Sequence, residues 1–486
     1  MIASLHFFLF FLLTLGVYYA LPHRWRWLWL LIMSYVFYGS LSVKYTVVLF
    51  TMTLISYGLA RLIEAQQDIE KKKLYLRLGI ILSFVTLGIF KYTGFFLSSV
   101  NDVLDRLGAN SHIPLPDIWF PIGISFFTLQ IVSYIMDVYT EAAEAEPHLG
   151  KYALYVAFFP QLLIGPIERA SHLLPQFTNK VTFDYQLLVE GLIRIGWGFW
   201  KKLVIADRLA IVVDRAFSDP SAFSADKLAL ATLLYSIQIY ADFSAYCDIV
   251  IGMAHILGIK LTENFNHPYF ATSPIDFWRR WHITLGNWLR DYIFRPLNFA
   301  ARRNFTLWIQ TRNVLLVFLF SGLWHGAAWT FIIWGILHGG YQAVELALQR
   351  RARNKKSKSK PAWWKTAFSI SVTFGLVTFA WIFFRAESVN DAFYIIKTIF
   401  TWGNASAGGS LWDFTSAFER QVVFLLIMIL LVIEIAQYLS KKPVWEFIHR
   451  TPLTARWTMC LILIYSVIVF GYYGEVDPTA FIYAGF

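Results

Sequence analysis

Residues 313–348 read NVLLVFLFSGLWHGAAWTFIIWGILHGGYQAVELAL, and this run decides the fold class. It carries one formally charged residue, Glu345, over a length well beyond the roughly 20 residues that one helix needs to cross hydrocarbon. It is therefore long enough for two helices, with Gly326, Gly335, Gly339 and Gly340 available to bend the path. Inside it lies Ser321-Gly322-Leu323-Trp324-His325-Gly326-Ala327-Ala328-Trp329. An ionisable side chain at membrane depth is costly and by default faces a partner or a water-filled cavity, which makes His325 the first functional candidate.

The rest of the chain fits a membrane reading. Of its 486 residues 57% are hydrophobic and only 15% charged, and the mean hydropathy is +0.52. Apolar runs of spanning length recur at 5–21, 27–45, 47–63, 78–97, 119–138, 152–165, 188–206, 228–257, 368–384, 422–439 and 457–473. The expectation is an all-α polytopic membrane protein of about 11–13 membrane segments, with re-entrant or interfacial helices where polar residues interrupt the pattern. The first run has neither a preceding Lys or Arg nor a small-residue cleavage site, so it reads as a first span. A single membrane domain is expected, with wall helices over 1–150, a catalytic core over 151–348, a basic cytoplasmic loop over 349–360 and C-terminal helices over 361–486. No internal repeat of the inverted-transporter kind is visible.

The net charge of +11 is clustered at Arg24 and Arg26, Lys71 to Lys73 with Arg77, Lys201 and Lys202, Arg350 to Lys360, and Lys441 and Lys442. The positive-inside rule places such loops in the cytoplasm and the N-terminus outside. The basic balance suits anionic membrane lipids and gives no support to a nucleic-acid partner. Cys247 and Cys460 both sit in apolar runs, which leaves neither a disulfide framework nor a thiolate metal site. HExxH, Walker, GxSxG and dinucleotide fingerprints are missing, so metal, nucleotide-hydrolysis and serine-triad chemistry lose ground together, and no metal ligands are assigned.

Three further stations carry polar groups. His338 lies 13 residues beyond His325; on one continuous helix the two would be about 20 Å apart along the axis and about 140° apart around it. The glycines Gly322 and Gly326 remove bulk beside His325, with Trp324 and Trp329 as apolar walls. His282 falls in Asp276-Phe277-Trp278-Arg279-Arg280-Trp281-His282, too polar to span and expected as an interfacial or re-entrant helix that places Trp278, Arg279 and His282 on one face. Arg279 and Arg280 suit phosphate contacts, or equally the snorkelling of a surface helix to lipid headgroups. In Gln238-Ile239-Tyr240-Ala241-Asp242-Phe243-Ser244-Ala245-Tyr246-Cys247-Asp248, Asp242 and Asp248 lie about 240° apart and cannot form a close dyad on a regular helix. Asp242 is expected to hydrogen-bond a Tyr, Trp or Arg of a neighbouring helix, with a substrate or proton-relay role as the alternative.

Four of these stretches together resemble the membrane-bound O-acyltransferases: Pro160-Gln161-Leu162-Leu163-Ile164-Gly165-Pro166-Ile167, Tyr240-Ala241-Asp242-Phe243-Ser244-Ala245-Tyr246, Phe277-Trp278-Arg279-Arg280-Trp281-His282 and Leu323-Trp324-His325-Gly326. The nearest branch is the one that contains the bacterial alginate O-acetyltransferase membrane subunit and the teichoic-acid D-alanyl transfer protein. The resemblance implies a many-helix bundle around a central tunnel. It puts the family's signature histidine at His325 and a second one at His282; beside these catalytic candidates, Arg279, Arg280, Trp324 and Asp242 are the substrate-binding candidates read from the residues themselves. It further implies a multi-pass bacterial inner-membrane enzyme that takes an acyl group, typically from acetyl-CoA, and transfers it to an exported polysaccharide through a periplasmic SGNH-type acyltransferase partner. The C-terminal Phe481-Ile482-Tyr483-Ala484-Gly485-Phe486 departs from the aromatic-glutamine-aromatic tail of many relatives. The rival class is a transporter or flippase with a proton path through Asp242, Asp248 and His325.

Overall fold

The computed structural model describes residues 4–109, 112–302, 306–352, 362–402, 409–412 and 417–473. Most of the expected basic loop, from residue 353, and the C-terminal hexapeptide lie outside them. Among the described residues the chain is helical, without a strand. It divides into two compact units, one running to Leu188 together with Met253–Thr262, the other comprising Val189–Gly252 and the chain from Glu263.

The first unit contains α1 (Leu5–Ala20), α2 (His23–Leu41), α3 (Val43–Ala65), α4 (Ile69–Arg106), α5 (Ile124–Tyr139), α6 (Leu149–Ala157) and the single turn α7 (Ala170–Leu173). Local chemistry sets the ends: the Ser4 hydroxyl accepts the Phe7 N–H at the start of α1, and Asp68 accepts the Glu70 N–H at the start of α4. The expected span at 152–165 is not one. α6 stops at Ala157 and turns follow through Gly165, because Pro160, Gly165 and Pro166 cannot continue a helix there. That buried backbone is satisfied by protein, as membrane depth requires: Gln130 Nε2 donates to the Tyr155 carbonyl at 2.7 Å, and the Ser34 hydroxyl accepts the Phe159 N–H at 3.1 Å.

The second unit is built on α8 (Tyr185–Phe199), which runs through a π-helical stretch at Trp200–Ala206 into α9 (Asp207–Ser218), and on α10 (Ala225–Ile256). There follow three short helices, α11 (Pro274–Trp278), α12 (Ile283–Leu289) and α13 (Arg295–Ala300), then α14 (Leu307–His325), α15 (Trp329–Ala352), α16 (Trp363–Arg385), α17 (Val389–Thr401), α18 (Ala417–Ser440), α19 (Val444–Arg450) and α20 (Leu453–Phe470). Among the described residues eight helices are long and apolar enough to cross a membrane, namely α3, α4, α10, α14, α15, α16, α18 and α20, and α1 and α5 are shorter apolar helices. Fewer helices are both long and apolar enough than the sequence runs imply: prolines break the run at 152–165, and α2, though 19 residues long, starts early enough to take in Arg24 and Arg26, which lower its apolarity. Large apolar side chains such as Leu13, Val36, Phe50, Ile81, Leu316 and Leu425 point outward, as lipid-facing surfaces demand.

The 313–348 run is indeed two helices. α14 ends at His325, Gly326 is extended at φ −158°, and α15 starts at Trp329. The two backbones cross at glycines: a Cβ on Gly322 would strike the Phe331 carbonyl, and one on Gly335 the Phe318 carbonyl. Small residues at such a crossing are what allow close approach of membrane helices.

Candidate active site

His325 is the last residue of α14 and is 1% exposed. Its imidazole is walled by Trp324, Trp334 and Phe384, with ring centroids at 4.9, 4.9 and 5.4 Å. Two of the expected neighbours behave otherwise. Trp329 is 54% exposed, where a buried wall was expected. The space beside Gly322 and Gly326 is taken by the Phe331 carbonyl and the Phe331 ring, so these glycines serve helix packing rather than an approaching substrate.

The Trp324 indole is shared, lying 6.0 Å from the His282 ring as well as beside His325. His282 is fully buried. The helix expected through Trp278, Arg279 and His282 does not form: α11 ends at Trp278 and α12 begins at Ile283, with His282 between them in the left-handed region at φ 43° and ψ 55°. Asn264 holds it there. The Asn264 carbonyl accepts the Ile283 N–H at 3.0 Å, and Asn264 Oδ1 meets the Thr284 N–H at 3.1 Å, the Thr284 hydroxyl at 2.9 Å and His282 Nδ1 at 3.2 Å. Burial pushes the His282 imidazole down to about 3 from 6.5, so it is neutral.

Because the chain turns at 326–328, the continuous-helix separation of His325 and His338 does not apply. Both rings lie against Trp334, His325 at 4.9 Å and His338 at 4.8 Å. His338 Nδ1 accepts the Trp278 indole N–H at 3.2 Å. Trp278 in turn packs on Phe318 and Trp334 at 5.1 and 5.7 Å, tying the arginine-bearing segment to the α14–α15 hairpin.

The two arginines differ. Arg280 donates from Nε to Asp276 Oδ1 at 2.9 Å, whereas Arg279 is exposed. Asp242 takes a lysine where a Tyr, Trp or Arg was expected: Lys202 Nζ sits 2.7 Å from Asp242 Oδ1 and 2.8 Å from Asp207 Oδ1. The adjacent Lys201 pairs with Asp248 at 2.7 Å and reaches the Ser244 hydroxyl at 2.7 Å. Arg194 joins Asp248 at 2.9 Å and grips Glu263 through two nitrogens at 2.7 and 2.5 Å. The π-helical stretch carries both lysines, so consecutive residues serve carboxylates nearly two turns apart on α10. Asp242 and Asp248 thus form no dyad, as their angular separation implied.

Sequence reading missed Trp334, Phe384 and Asn264. Trp334 stands one helical turn before His338, a spacing that could have flagged it, whereas Phe384 comes from the distant α16 and leaves no local signal.

Comparison with known proteins gives a consistent result. The sequence model described as "MBOAT, membrane-bound O-acyltransferase family" matches residues 30–383. The chain is 39% identical over 83% of its length, and 78% of the relative's, to the probable alginate O-acetylase AlgI of Azotobacter vinelandii. It is 38% identical to the peptidoglycan O-acetyltransferase of Helicobacter pylori over 76% of this chain and 73% of the relative. With the teichoic acid D-alanyltransferase of Bacillus subtilis it shares 31% identity over 60% of this chain and 75% of the relative.

Proposed function

Because this chain belongs to the membrane-bound O-acyltransferase family and is an acyltransferase of the multi-pass membrane kind, we propose that it moves an acetyl group from cytoplasmic acetyl-CoA across the bacterial inner membrane for O-acetylation of an exported polysaccharide. The alginate and peptidoglycan names of two relatives support a glycan acceptor, and alginate itself is one candidate. The exposed Arg279, next to Arg280 that Asp276 holds through Nε, offers its guanidinium to the phosphates of the donor. A periplasmic SGNH-type acyltransferase completes delivery to the polymer, since the donor is cytoplasmic and the polymer external.

The observation that carries the reading is His325 buried among Trp324, Trp334 and Phe384, one indole away from His282. His325 takes the proton of the acceptor O–H as that oxygen attacks the thioester carbonyl; the C–S bond then breaks and the proton passes from the imidazolium to the leaving thiolate. His282 orients the acceptor. Trp324, packed on both rings, fixes their separation, and Asp242 ties α10 to the π-helical stretch through Lys202. An acyl-histidine route with His325 as nucleophile uses the same geometry and is distinguished by trapping labelled acyl-enzyme.

The test is release of free thiol from acetyl-CoA by purified protein in the presence of candidate glycans. His325→Ala should abolish it while leaving an inserted, monodisperse protein; retained turnover in that variant would overturn the assignment.

A further inference from the structure

We propose that Asn264 is a positioning residue that holds His282 as its Nδ1–H tautomer, so that Nε2 offers a lone pair to a second hydroxyl of the acceptor, beside the one that His325 deprotonates; this rests on the acyl-transfer reading above. The Thr284 N–H can only donate, so the Asn264 atom 3.1 Å from it is the carbonyl oxygen and not the amide nitrogen. The Thr284 hydroxyl at 2.9 Å uses the same oxygen, and Asn264 Nδ2 lies 3.5 Å from the Cys247 sulfur, a weak acceptor. An amide carbonyl oxygen cannot donate. His282 Nδ1, 3.2 Å from that oxygen, must therefore carry the hydrogen, and in a neutral imidazole the other nitrogen is then bare.

The backbone keeps this arrangement in register. Asn264 accepts the Ile283 N–H, and the Asn266 N–H donates to the Arg280 carbonyl at 2.9 Å, so residues 264–266 lie along the segment that carries His282. A non-glycine residue at φ 43° persists only where its surroundings over-determine it, and Asn264 supplies contacts on the C-terminal side of that residue while Asn266 supplies one on the N-terminal side. The chemical consequence is selective. With no Nε2–H, neutral His282 accepts a hydrogen bond from an O–H but cannot donate one to an oxyanion. It therefore selects substrates that bring a hydroxyl and leaves stabilisation of the tetrahedral oxygen to other groups.

The experiment uses full-length protein in nanodiscs with 15N-labelled histidine, the His282 resonances being assigned by their loss in His282→Gln. Wild type should show a protonated Nδ1 and a bare Nε2, and Thr284→Val, which leaves the amide donor in place, should show the same. Asn264→Leu should lose that preference and lower kcat about 10²-fold, with no further loss when combined with His282→Gln. Asn264→Asp should keep Nδ1–H and retain activity, but its carboxylate stabilises the imidazolium, so the acid limb of the pH–rate profile should move to higher pH. A wild-type Nε2–H tautomer, or Asn264→Leu with unchanged tautomer and kcat, overturns the proposal. If Asn264→Leu does not fold, the wild-type and Asn264→Asp spectra still decide. Wild-type protein with the expected tautomer but no thioester turnover refutes the acyl-transfer reading and leaves the tautomer assignment standing.

Discussion

Asp248→Asn removes one negative charge from the interior of the second unit while barely changing shape, and its cost can be worked from the partners. Arg194 loses little charge compensation, because it keeps its two-nitrogen grip on Glu263. Lys201 fares worse: it is 3% exposed, and its ion pair among the described residues is the one to Asp248 at 2.7 Å. Removing one partner of a buried pair typically costs about 3–5 kcal/mol, since the other charge is stranded. The Ser244 hydroxyl at 2.7 Å still accepts from Lys201, which places the expected loss near the lower end, about 3 kcal/mol. Equilibrium unfolding in mixed detergent–SDS micelles, followed by circular dichroism, measures it. Adding Lys201→Met removes the stranded cation and should return about half or more of that loss, because a buried pair replaced by apolar groups is often near neutral. The reasoning fails if Asp248→Asn is as stable as wild type, or if the double variant is no more stable than the single one.

Two other perturbations separate packing from chemistry. Gly322→Val places two methyl groups against the Phe331 carbonyl and should force α14 from α15, lowering acetyl transfer at least tenfold with little change in membrane insertion, as read by thiol release beside protease accessibility. For His282 the sign follows from a folded value near 3 against an unfolded 6.5: between those values the unfolded chain binds more protons, so stability falls as pH drops through that window. The slope attributable to it is at most about 1.4 kcal/mol per pH unit. His282→Gln should flatten the unfolding midpoint's pH dependence between pH 4 and 6 relative to wild type, and an unchanged slope would count against the buried neutral imidazole.

Membrane architecture was legible because hydrocarbon imposes length and apolarity on each span, and the 313–348 run even announced its two helices through its length and glycines. His325 was legible for the same reason, being an ionisable group where one is costly. Its true walls were not, because Trp334 reaches it only after the chain reverses at 326–328 and Phe384 arrives from α16. His282 illustrates the opposite limit. Periodicity gave it a helical face with Trp278 and Arg279, yet a left-handed backbone held by Asn264, 18 residues earlier in sequence, aims it elsewhere. Lys201 and Lys202 show a third: a basic pair reads as a cytoplasmic marker, but both heads are buried on α10 carboxylates, so charge counting alone could not distinguish loop from core.

The glycine crossing of α14 and α15 also sets a phase. Gly322 is pinned against α15 and His325 follows three residues later, so the direction in which the imidazole leaves the helix is set by residue count, ahead of its contacts with Trp324, Trp334 and Phe384. One residue inserted between them would rotate the histidine by about 100° and advance it by about 1.5 Å, turning it from Trp334 while every apolar residue remained apolar. Indel tolerance should therefore collapse over this three-residue interval. In that sense the hairpin measures angle in units of sequence, with the catalytic candidate as its pointer.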